Sequence, residues 1–472
     1  MNLTVKEMTA IPHLRTLNTV PVAAKKIKEI STDSRQVHAG DVFIALRGEN
    51  FDGHNFVRET LKNGAICAVV DNKYTPGSGE ALLVVDDTVK ALGNIARLYR
   101  RKFSLPVLAV AGSNGKTTTK EMIAAVLRKK YRVLSSKGNL NNHIGVPQTL
   151  FLLKPSHEVA VVETGTNHFG EIGYLCGILE PSHGIVTNIG REHLEFFGDL
   201  DGVEKEEGEL FRYLGNEGTP LVNLDDSRIA RLGKNLKRRI TYGFTGSRAA
   251  IRGKQIGVTA AGCFTFSVHQ KGKKPFSVSL NVPGKHNMEN ALAAASVGIA
   301  FGVPASKISA ALGKFSAVSK RMEVSAVAGV TILNDTYNAN SDSVITALET
   351  LQSMNVKGKK IVVLGDMREL GARSEQEHRR IGRTIGEMGF AHLLTHGSDA
   401  KYIYEEALVQ QKEYFVTQDE LSADLCNLVS TGDAVLIKGS RGMKMENVVV
   451  ALRNHLESAR LQKTRSTSKR VN

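Results

Sequence analysis

Residues 107–127 pass from an unbroken apolar run, Val107-Leu-Ala-Val-Ala, through the polar loop Gly112-Ser-Asn-Gly-Lys, into a stretch whose apolar positions recur at helical spacing through Glu121-Met-Ile-Ala-Ala-Val-Leu. The apolar run predicts a strand covered on both faces, and the spacing after it predicts a helix. Further strand-like runs at 158–163, 183–189 and 219–223 alternate with helical stretches, the pattern of a parallel sheet with helices on both sides. The glycine- and β-rich segment from Ile240 to Val282 reads as an antiparallel addition, and Asn287 to Phe301 as an alanine-rich helix. Upstream, short strands such as Asp41-Val-Phe-Ile-Ala-Leu and Ala65-Ile-Cys-Ala-Val-Val precede a helix over Val89 to Arg101, and Pro106 opens the next region. Downstream, Lys360-Ile-Val-Val-Leu-Gly, His392-Leu-Leu-Thr-His-Gly and Asp433-Ala-Val-Leu-Ile-Lys-Gly each end in glycine, where a doubly wound sheet presents its ligand loops.

The chain is therefore expected to be α/β with three domains. These are a mixed α/β N-terminal domain (1–104), a central parallel-sheet P-loop ATPase-like domain (105–318) and a C-terminal Rossmann-like domain (319–459). A length of 472 residues agrees with several cores rather than one. No apolar stretch approaches the roughly 18 residues of a membrane span, and the N-terminus lacks the basic-then-apolar pattern of a secretory signal. A cytoplasmic protein without integral membrane association is expected. Cys67, Cys176, Cys263 and Cys426 are far apart, which predicts reduced thiols and neither a disulfide framework nor a zinc site.

The net charge of +15 raises the question of a polyanionic partner. Arg460, Lys463, Arg465, Lys469 and Arg470 follow the last acid, Glu457, and without them the charge falls to +10. Residues 460–472 read as a basic disordered tail. No zinc finger, RNA-recognition signature or aromatic-interleaved basic stripe is present, so a nucleic-acid partner is not expected.

The chemistry concentrates in the loop. Glycines 112 and 115 let main-chain N–H groups face phosphate oxygens, Lys116 reaches the outer phosphates, and the Thr117 hydroxyl suits the accompanying magnesium. Val110 stands where the strict eight-residue pattern requires a first glycine, leaving a shortened Gly-x-x-Gly-Lys-Thr loop. Glu163 ends one predicted strand, and Asn188 and His193 follow another, so both groups can meet the loop at the carboxyl edge of a sheet. A carboxylate and an imidazole there are candidate magnesium partners. Taken singly, Glu163 also reads as a cap and His193 as a surface histidine.

Gly112-Ser-Asn-Gly-Lys-Thr-Thr, Glu163-Thr-Gly-Thr-Asn-His-Phe-Gly-Glu-Ile, Thr187-Asn-Ile-Gly-Arg-Glu-His, His286-Asn-Met-Glu-Asn-Ala, Asn334-Asp-Thr-Tyr-Asn-Ala-Asn, Gly365-Asp-Met-Arg-Glu-Leu-Gly and Lys438-Gly-Ser-Arg-Gly-Met resemble the Mur ligases in order and spacing. Ser31-Thr-Asp-Ser-Arg and Gly48-Glu-Asn-Phe-Asp-Gly-His-Asn-Phe resemble that family's uridine-nucleotide domain. The resemblance implies ATP and Mg2+ as cofactors and amide formation through an acyl phosphate in cell-wall precursor synthesis. The Tyr337-Asn-Ala-Asn, Gly365-Asp-Met and Lys438-Gly-Ser-Arg forms are similar to the branch whose partners are a UDP-N-acetylmuramoyl-tripeptide and D-alanyl-D-alanine. A monomer is expected.

By the same resemblance Lys116, Glu163 and His193 would be catalytic. Gly112, Ser113, Asn114, Gly115, Lys116, Thr117, Thr118, Asn290, Arg321 and Asp335 would hold ATP. Ser34, Arg35, Asn141 and Asn142 would contact the UDP-sugar-peptide, and Tyr337, Asn338, Asn340, Ser440 and Arg441 the dipeptide, whose free carboxylate suits a guanidinium. Asn338 and Asn340 also read as turn residues, and Arg321 as a surface ion-pair partner. Thr117, Glu163, His193 and Glu207 form the implied metal set.

Glu207 is a departure. The family usually carries a carbamylated lysine in this segment, and aligning Gly208-Glu-Leu-Phe places Glu207 there, with Lys205 two residues away. Two readings stand: a permanent carboxylate replacing the modified lysine, or a solvated glutamate on an acidic helix with Glu204, Glu206 and Glu209. The departure also leaves open a divergent paralogue, either a muropeptide-recycling ligase or a non-catalytic UDP-muropeptide-binding protein. A folylpolyglutamate synthase is the other amide-ligase alternative, against which the Tyr337-Asn-Ala-Asn and Lys438-Gly-Ser-Arg forms speak.

Overall fold

The computed structural model describes residues 1–468 other than Asn50, Gly246 and Ser247. The chain forms two compact units: Met1–Ala109 with Tyr131–Thr166 and Gly170–His183, and Val110–Lys130 with Asn167–Phe169 and Gly184–Asn472. The chain first passes between them inside strand Val107–Ala111.

In the first unit, strand Leu82–Val85 pairs antiparallel with Arg15–Leu17 and parallel with Cys67–Asp71, which continues in parallel to Val42–Ile44 and then Ile30–Ser31. Val42–Ile44 and Leu82–Val85 are buried along their whole length, which is why they read as continuous apolar runs rather than alternating ones. Phe43, Ala68, Val70, Leu82 and Val84 share a core with Val37 and Val57. Helix Thr88–Arg100 starts where the Asp87 side chain accepts from the N–H groups of Val89 and Lys90. It buries Leu92, Ile95, Ala96 and Tyr99 at helical spacing. Farther along, Val159–Glu163 lies parallel to Val133–Ser135.

In the second unit, Thr219–Asn223 pairs parallel with Ile240–Gly243, and that strand pairs parallel with Ile251–Val258. Only from there does the ladder turn antiparallel, through Cys263–Gln270 and Phe276–Pro283. The expected antiparallel addition therefore begins at Ile251 and not at Ile240. Helix Ser227–Gly233 lies between Thr219–Asn223 and Ile240–Gly243, and a strand reached through such a crossover enters in parallel.

A separate sheet runs Glu323–Val327, Val330–Asp335, Ala434–Lys438, Lys360–Gly365, His392–His396, Gln411–Phe415. Its pairs are parallel except the first, which is antiparallel. Alternate residues enter two cores: Val362, Leu364 and Leu436 on one face, Ile361, Val363, Val435 and Ile437 on the other. The two-residue strand period thus accounts for apolar runs with no polar face. The first of these cores also takes in Leu194, Phe197 and Val203.

Helix Glu446–Ser468 continues through residues 460–468, where a disordered tail was expected. The segment contains no glycine or proline, and extending a formed helix fixes one residue per added hydrogen bond. Lys469 and Arg470 lie outside the described residues. No described helix is long and apolar enough to cross a membrane.

Helix Lys285–Ala300 packs on Lys116–Leu127, the helix that leaves the glycine loop. Ala291, Ala294, Ala295 and Gly298 are buried in it, and a Cβ at Gly298 would lie 2.6 Å from Val126 Cγ1. Gly298→Val is expected to cost about 1–3 kcal/mol by overpacking. A thermal unfolding midpoint equal to the parent's would contradict this close helix contact.

Candidate active site

The glycine loop is shaped by two left-handed residues. Gly112 has φ +113° and Gly115 φ +78°, the latter as N-cap of helix Lys116–Leu127. A Cβ on Gly112 would sit 2.3 Å from Thr187 Oγ1, and one on Gly115 would sit 2.8 Å from Asn290 Oδ1, so neither position accommodates a side chain. The loop is clamped by the residues after strand His183–Val186. Ser113 N donates to Asn188 O and Asn114 N to Asn188 Oδ1, each at 2.9 Å, while Thr187 Oγ1 donates to Asn114 O at 2.7 Å. Asn290 thus touches the loop, and Thr118 is half-buried on its helix.

Lys116 Nζ lies 3.2 Å from both Ser113 O and Glu192 Oε2. Gly112 N donates to Glu207 Oε2 at 2.7 Å. Glu207 is fully buried, which excludes the solvated-helix reading, and its neighbours Glu204 and Glu206 are buried too. Glu204 pairs with Arg228 and Arg231. Burial pushes the Glu207 carboxyl well above the usual range; the Lys116 charge opposes this, the Glu192 charge adds to it, and the Gly112 N–H opposes it. Glu192, which the sequence reading passed over inside its Thr187–His193 motif, is therefore the direct partner of the loop lysine. Its place between Arg191 and the candidate histidine His193 was the available signal.

His193 has φ +46°, and its Nδ1 lies 2.8 Å from Glu369 Oε2, a hydrogen-bonding approach that holds Glu369 below its usual range. Arg321 stacks its guanidinium 3.7 Å above the Tyr337 ring, with Arg441 5.7 Å from the same ring. Asp335 accepts from Lys438 Nζ at 2.6 Å and from Met322 N at 2.9 Å, and Lys438 Nζ also reaches Asn338 O at 2.8 Å. Ser440 Oγ donates to Ala339 O and accepts from Arg368 N. Arg321, Asp335, Tyr337, Asn338, Ser440 and Arg441 are thus gathered around Lys438 and the Tyr337 ring, and Asn340 links them to the loop: its Nδ2 donates to Asn114 Oδ1 at 3.0 Å while its Oδ1 caps helix Ser341–Ser353. His286, a second residue not singled out, is half-buried near Asp335 and Lys438, and desolvation of its imidazole lowers it to about 4.

In the first unit, Glu163 is buried at the end of its strand, its Oε1 accepting from Asn141 Nδ2 at 2.9 Å. Asn142 Oδ1 accepts from the N–H groups of Ile144 and Gly145, starting helix Gly145–Phe151. Gln148 on that helix donates to Thr32 Oγ1 at 3.1 Å, which brings the Ser34 and Arg35 turn to the same helix. The Arg35 guanidinium lies on Asp33 and is exposed.

Thr117 Oγ1 in the second unit and Glu163 Oε2 in the first are each buried without a partner, and each is an oxygen of the kind a hard cation such as magnesium takes. Among the described residues no three or more His, Cys, Asp or Glu side chains are arranged to hold a metal by themselves.

Three family models match the chain: "Mur ligase family, catalytic domain" over residues 26–100, "Mur ligase middle domain" over 110–298, and "Mur ligase, glutamate ligase domain" over 320–441. The chain is 34% identical over 429 residues to the UDP-N-acetylmuramoyl-tripeptide--D-alanyl-D-alanine ligase of Bacillus subtilis, covering 90% of this chain and 92% of that one. It is 35% identical over 432 residues to the protein of the same name from Escherichia coli, covering 90% and 94%. Among solved structures, MurF from Acinetobacter baumannii superposes with TM-score 0.88 at 33% identity over 96% of this chain and 98% of that one. MurF ligase from Thermotoga maritima in complex with ADP gives 0.83 at 28% identity over 91% and 98%.

The raised Glu207 carboxyl predicts a pH signature. Its folded value lies above the ordinary 4.5, so the folded state binds the extra proton and stability falls as pH rises from 4.5 through the raised value. Glu207→Gln keeps an oxygen for the Gly112 N–H and removes the titration. In the presence of EDTA the variant's thermal midpoint is expected to gain on the parent's between pH 4.5 and pH 8; a gap independent of pH would contradict the buried charge.

Proposed function

The chain belongs to the Mur ligase family, and from that premise we propose that it joins D-alanyl-D-alanine to a UDP-N-acetylmuramoyl-tripeptide at the expense of ATP, in peptidoglycan precursor synthesis in the cytoplasm. The geometry that carries the reading is the loop between Gly112 and Lys116, whose left-handed glycines and helix N-terminus suit a nucleotide's phosphates. Likeness to UDP-N-acetylmuramoyl-tripeptide--D-alanyl-D-alanine ligases over nine-tenths of the chain suggests the substrates.

The terminal carboxylate of the tripeptide attacks the γ-phosphorus of ATP, the bond to the ADP oxygen breaks, and an acyl phosphate forms. The amine of the dipeptide then attacks the acyl carbon, the carbon–oxygen bond to phosphate breaks, and the amine's proton is lost as the amide forms. Lys116 neutralises charge on the transferring phosphoryl group, moving from its contact with Glu192 to the phosphate. Magnesium, when bound, offsets phosphate charge and brings anionic reactants together. Thr117 and Glu163 would ligate it directly. His193 and Glu207 form the outer part of the set, because their nearer partners are Glu369 and the Gly112 N–H.

Ser113, Asn114, Thr118 and Asn290 line the nucleotide's seat, with Arg321 and Asp335 completing it. Ser34, Arg35, Asn141 and Asn142 hold the UDP-sugar-peptide; Arg35, exposed with its guanidinium on Asp33, is the cation suited to its diphosphate. Tyr337, Asn338, Ser440 and Arg441 take the dipeptide, with Asn340 shaping their segment. Residues 1–104, 105–318 and 319–459 act as three working domains, one for each substrate.

Lys116→Ala is expected to lower ADP formation on the order of a hundredfold or more, with the thermal midpoint little changed; activity within threefold of the parent would refute the phosphate role. Phosphate release should require the UDP-tripeptide together with an acceptor, and D-alanyl-D-alanine should support it better than D-alanine, L-alanine or L-glutamate. Turnover with a folate and L-glutamate instead would overturn the cell-wall reading.

A further inference from the structure

Arg191, one residue before Glu192, is held by the helix that follows the Tyr337–Asn340 segment. Asp342 Oδ2 accepts from Arg191 N at 2.7 Å, and Asp342 Oδ1 accepts from Arg191 Nη1 at 3.2 Å. The pair is part of a ring of alternating charge: Arg380 Nη1 lies 3.6 Å from Asp342 Oδ1 and 3.4 Å from Glu377 Oε2, and Arg191 Nε lies 3.8 Å from Glu377 Oε1. Asp342 sits in the first turn of helix Ser341–Ser353, where a carboxylate is favoured by the helix dipole.

The contact is tight. A Cβ on Gly190 would lie 3.0 Å from Asp342 Oδ2, 3.1 Å from Asn114 Nδ2 and 3.5 Å from Ser113 Cβ. Gly190 N donates to Ser113 Oγ at 2.8 Å, and the Asn340–Asn114 bond lies alongside. The phosphate loop, the 190–192 peptide and the start of one helix therefore meet at a single glycine. The peptide that Asp342 grips carries Glu192, whose carboxylate holds Lys116.

We propose that Asp342 is a positioning residue for phosphoryl transfer: it fixes the main chain of Arg191 and so aims Glu192 at Lys116, tying the phosphate loop to the helix that begins beside Tyr337, Asn338 and Asn340. The exposed ion pairs contribute little by themselves, since Arg191 and Asp342 side chains are 33% and 28% exposed. The main-chain bond to a carboxylate is the stronger element and sets direction. Small misplacements of a catalytic group are costly, on the order of a hundredfold for about 1 Å. This role rests on the proposed ligase reaction.

The test is a double-mutant cycle on the full chain, with ADP formation read under saturating ATP, UDP-tripeptide and D-alanyl-D-alanine. Asp342→Ala is expected to lower kcat by roughly tenfold to a hundredfold, with the KM for the UDP-tripeptide within threefold of the parent's. Asp342→Asn, which keeps an acceptor for the Arg191 N–H, should recover part of the loss. In a Glu192→Gln background the same Asp342→Ala change should cost less than threefold, because the group it aims has gone. Equal costs in both backgrounds would overturn the proposal, as would full activity of Asp342→Ala. Hydrogen exchange over residues 190–193 provides a readout independent of turnover: Asp342→Ala should lose protection there, and unchanged exchange counts against the proposal. A parent chain that forms no ADP with these substrates defeats the ligase reading instead, while the exchange measurement still decides whether Asp342 holds the peptide.

Discussion

A nearly enclosed lysine beside two buried carboxyl groups sets the terms for this site. The Lys116 side chain is 14% exposed, faces Glu192 at 3.2 Å and stands beside the fully buried Glu207. An ammonium group removed from water needs a paired charge, and a buried carboxylate needs donors. Both needs are met locally: Glu192 pairs with the lysine, and Glu207 takes the N–H of Gly112. The two carboxyl groups also lie against each other, and a hydrogen bond to Glu192 is among the causes that raise Glu207.

The scaffold delivers these groups by a repeated device. In the second unit Asn188 and His193 follow one strand and the glycine loop follows another, and in the first unit Glu163 ends a strand. Strands joined by helices present such polar groups at their carboxyl ends. Helix Lys285–Ala300, with alanine and glycine on its packed face, allows the phosphate helix to approach closely and brings Asn290 against Gly115. In the six-stranded sheet, apolar residues alternate between two cores, so its carboxyl edge is rigid enough to fix Asp335, Asp366 and Lys438. Lys438 is buried with its ammonium on Asp335, the same solution to a buried cation that Lys116 uses with Glu192.

Several polar side chains among the candidate site residues hold main-chain geometry. Asn142 starts a helix, Asn340 caps one, and Asp335 fixes Met322 N and Lys438. Asn340 serves two segments at once because its amide has both an acceptor and a donor. Such double use ties the Tyr337–Asn340 segment to the glycine loop through a short, directional contact.

The amino-acid sequence by itself determined the elements and the loop chemistry. The run Val107–Ala111, the two glycines and Lys116 announce strand, turn and helix because each property is local, set by residues a few positions apart. Motif order was enough to reach the family. Tertiary structure alone decided which distant groups meet: Glu207 with Gly112, Glu192 with Lys116 and Asp342 with Arg191 are separated by 95, 76 and 151 residues. Glu207 stands among acids on a short helix and reads locally as a solvated face, whereas packing removed it from water. Ile240–Gly243 likewise carries no local mark of direction, and the crossover before it made it parallel. Periodicity records which side of an element is buried; it does not record against what, because the partner is chosen by long-range packing and the charges it encloses.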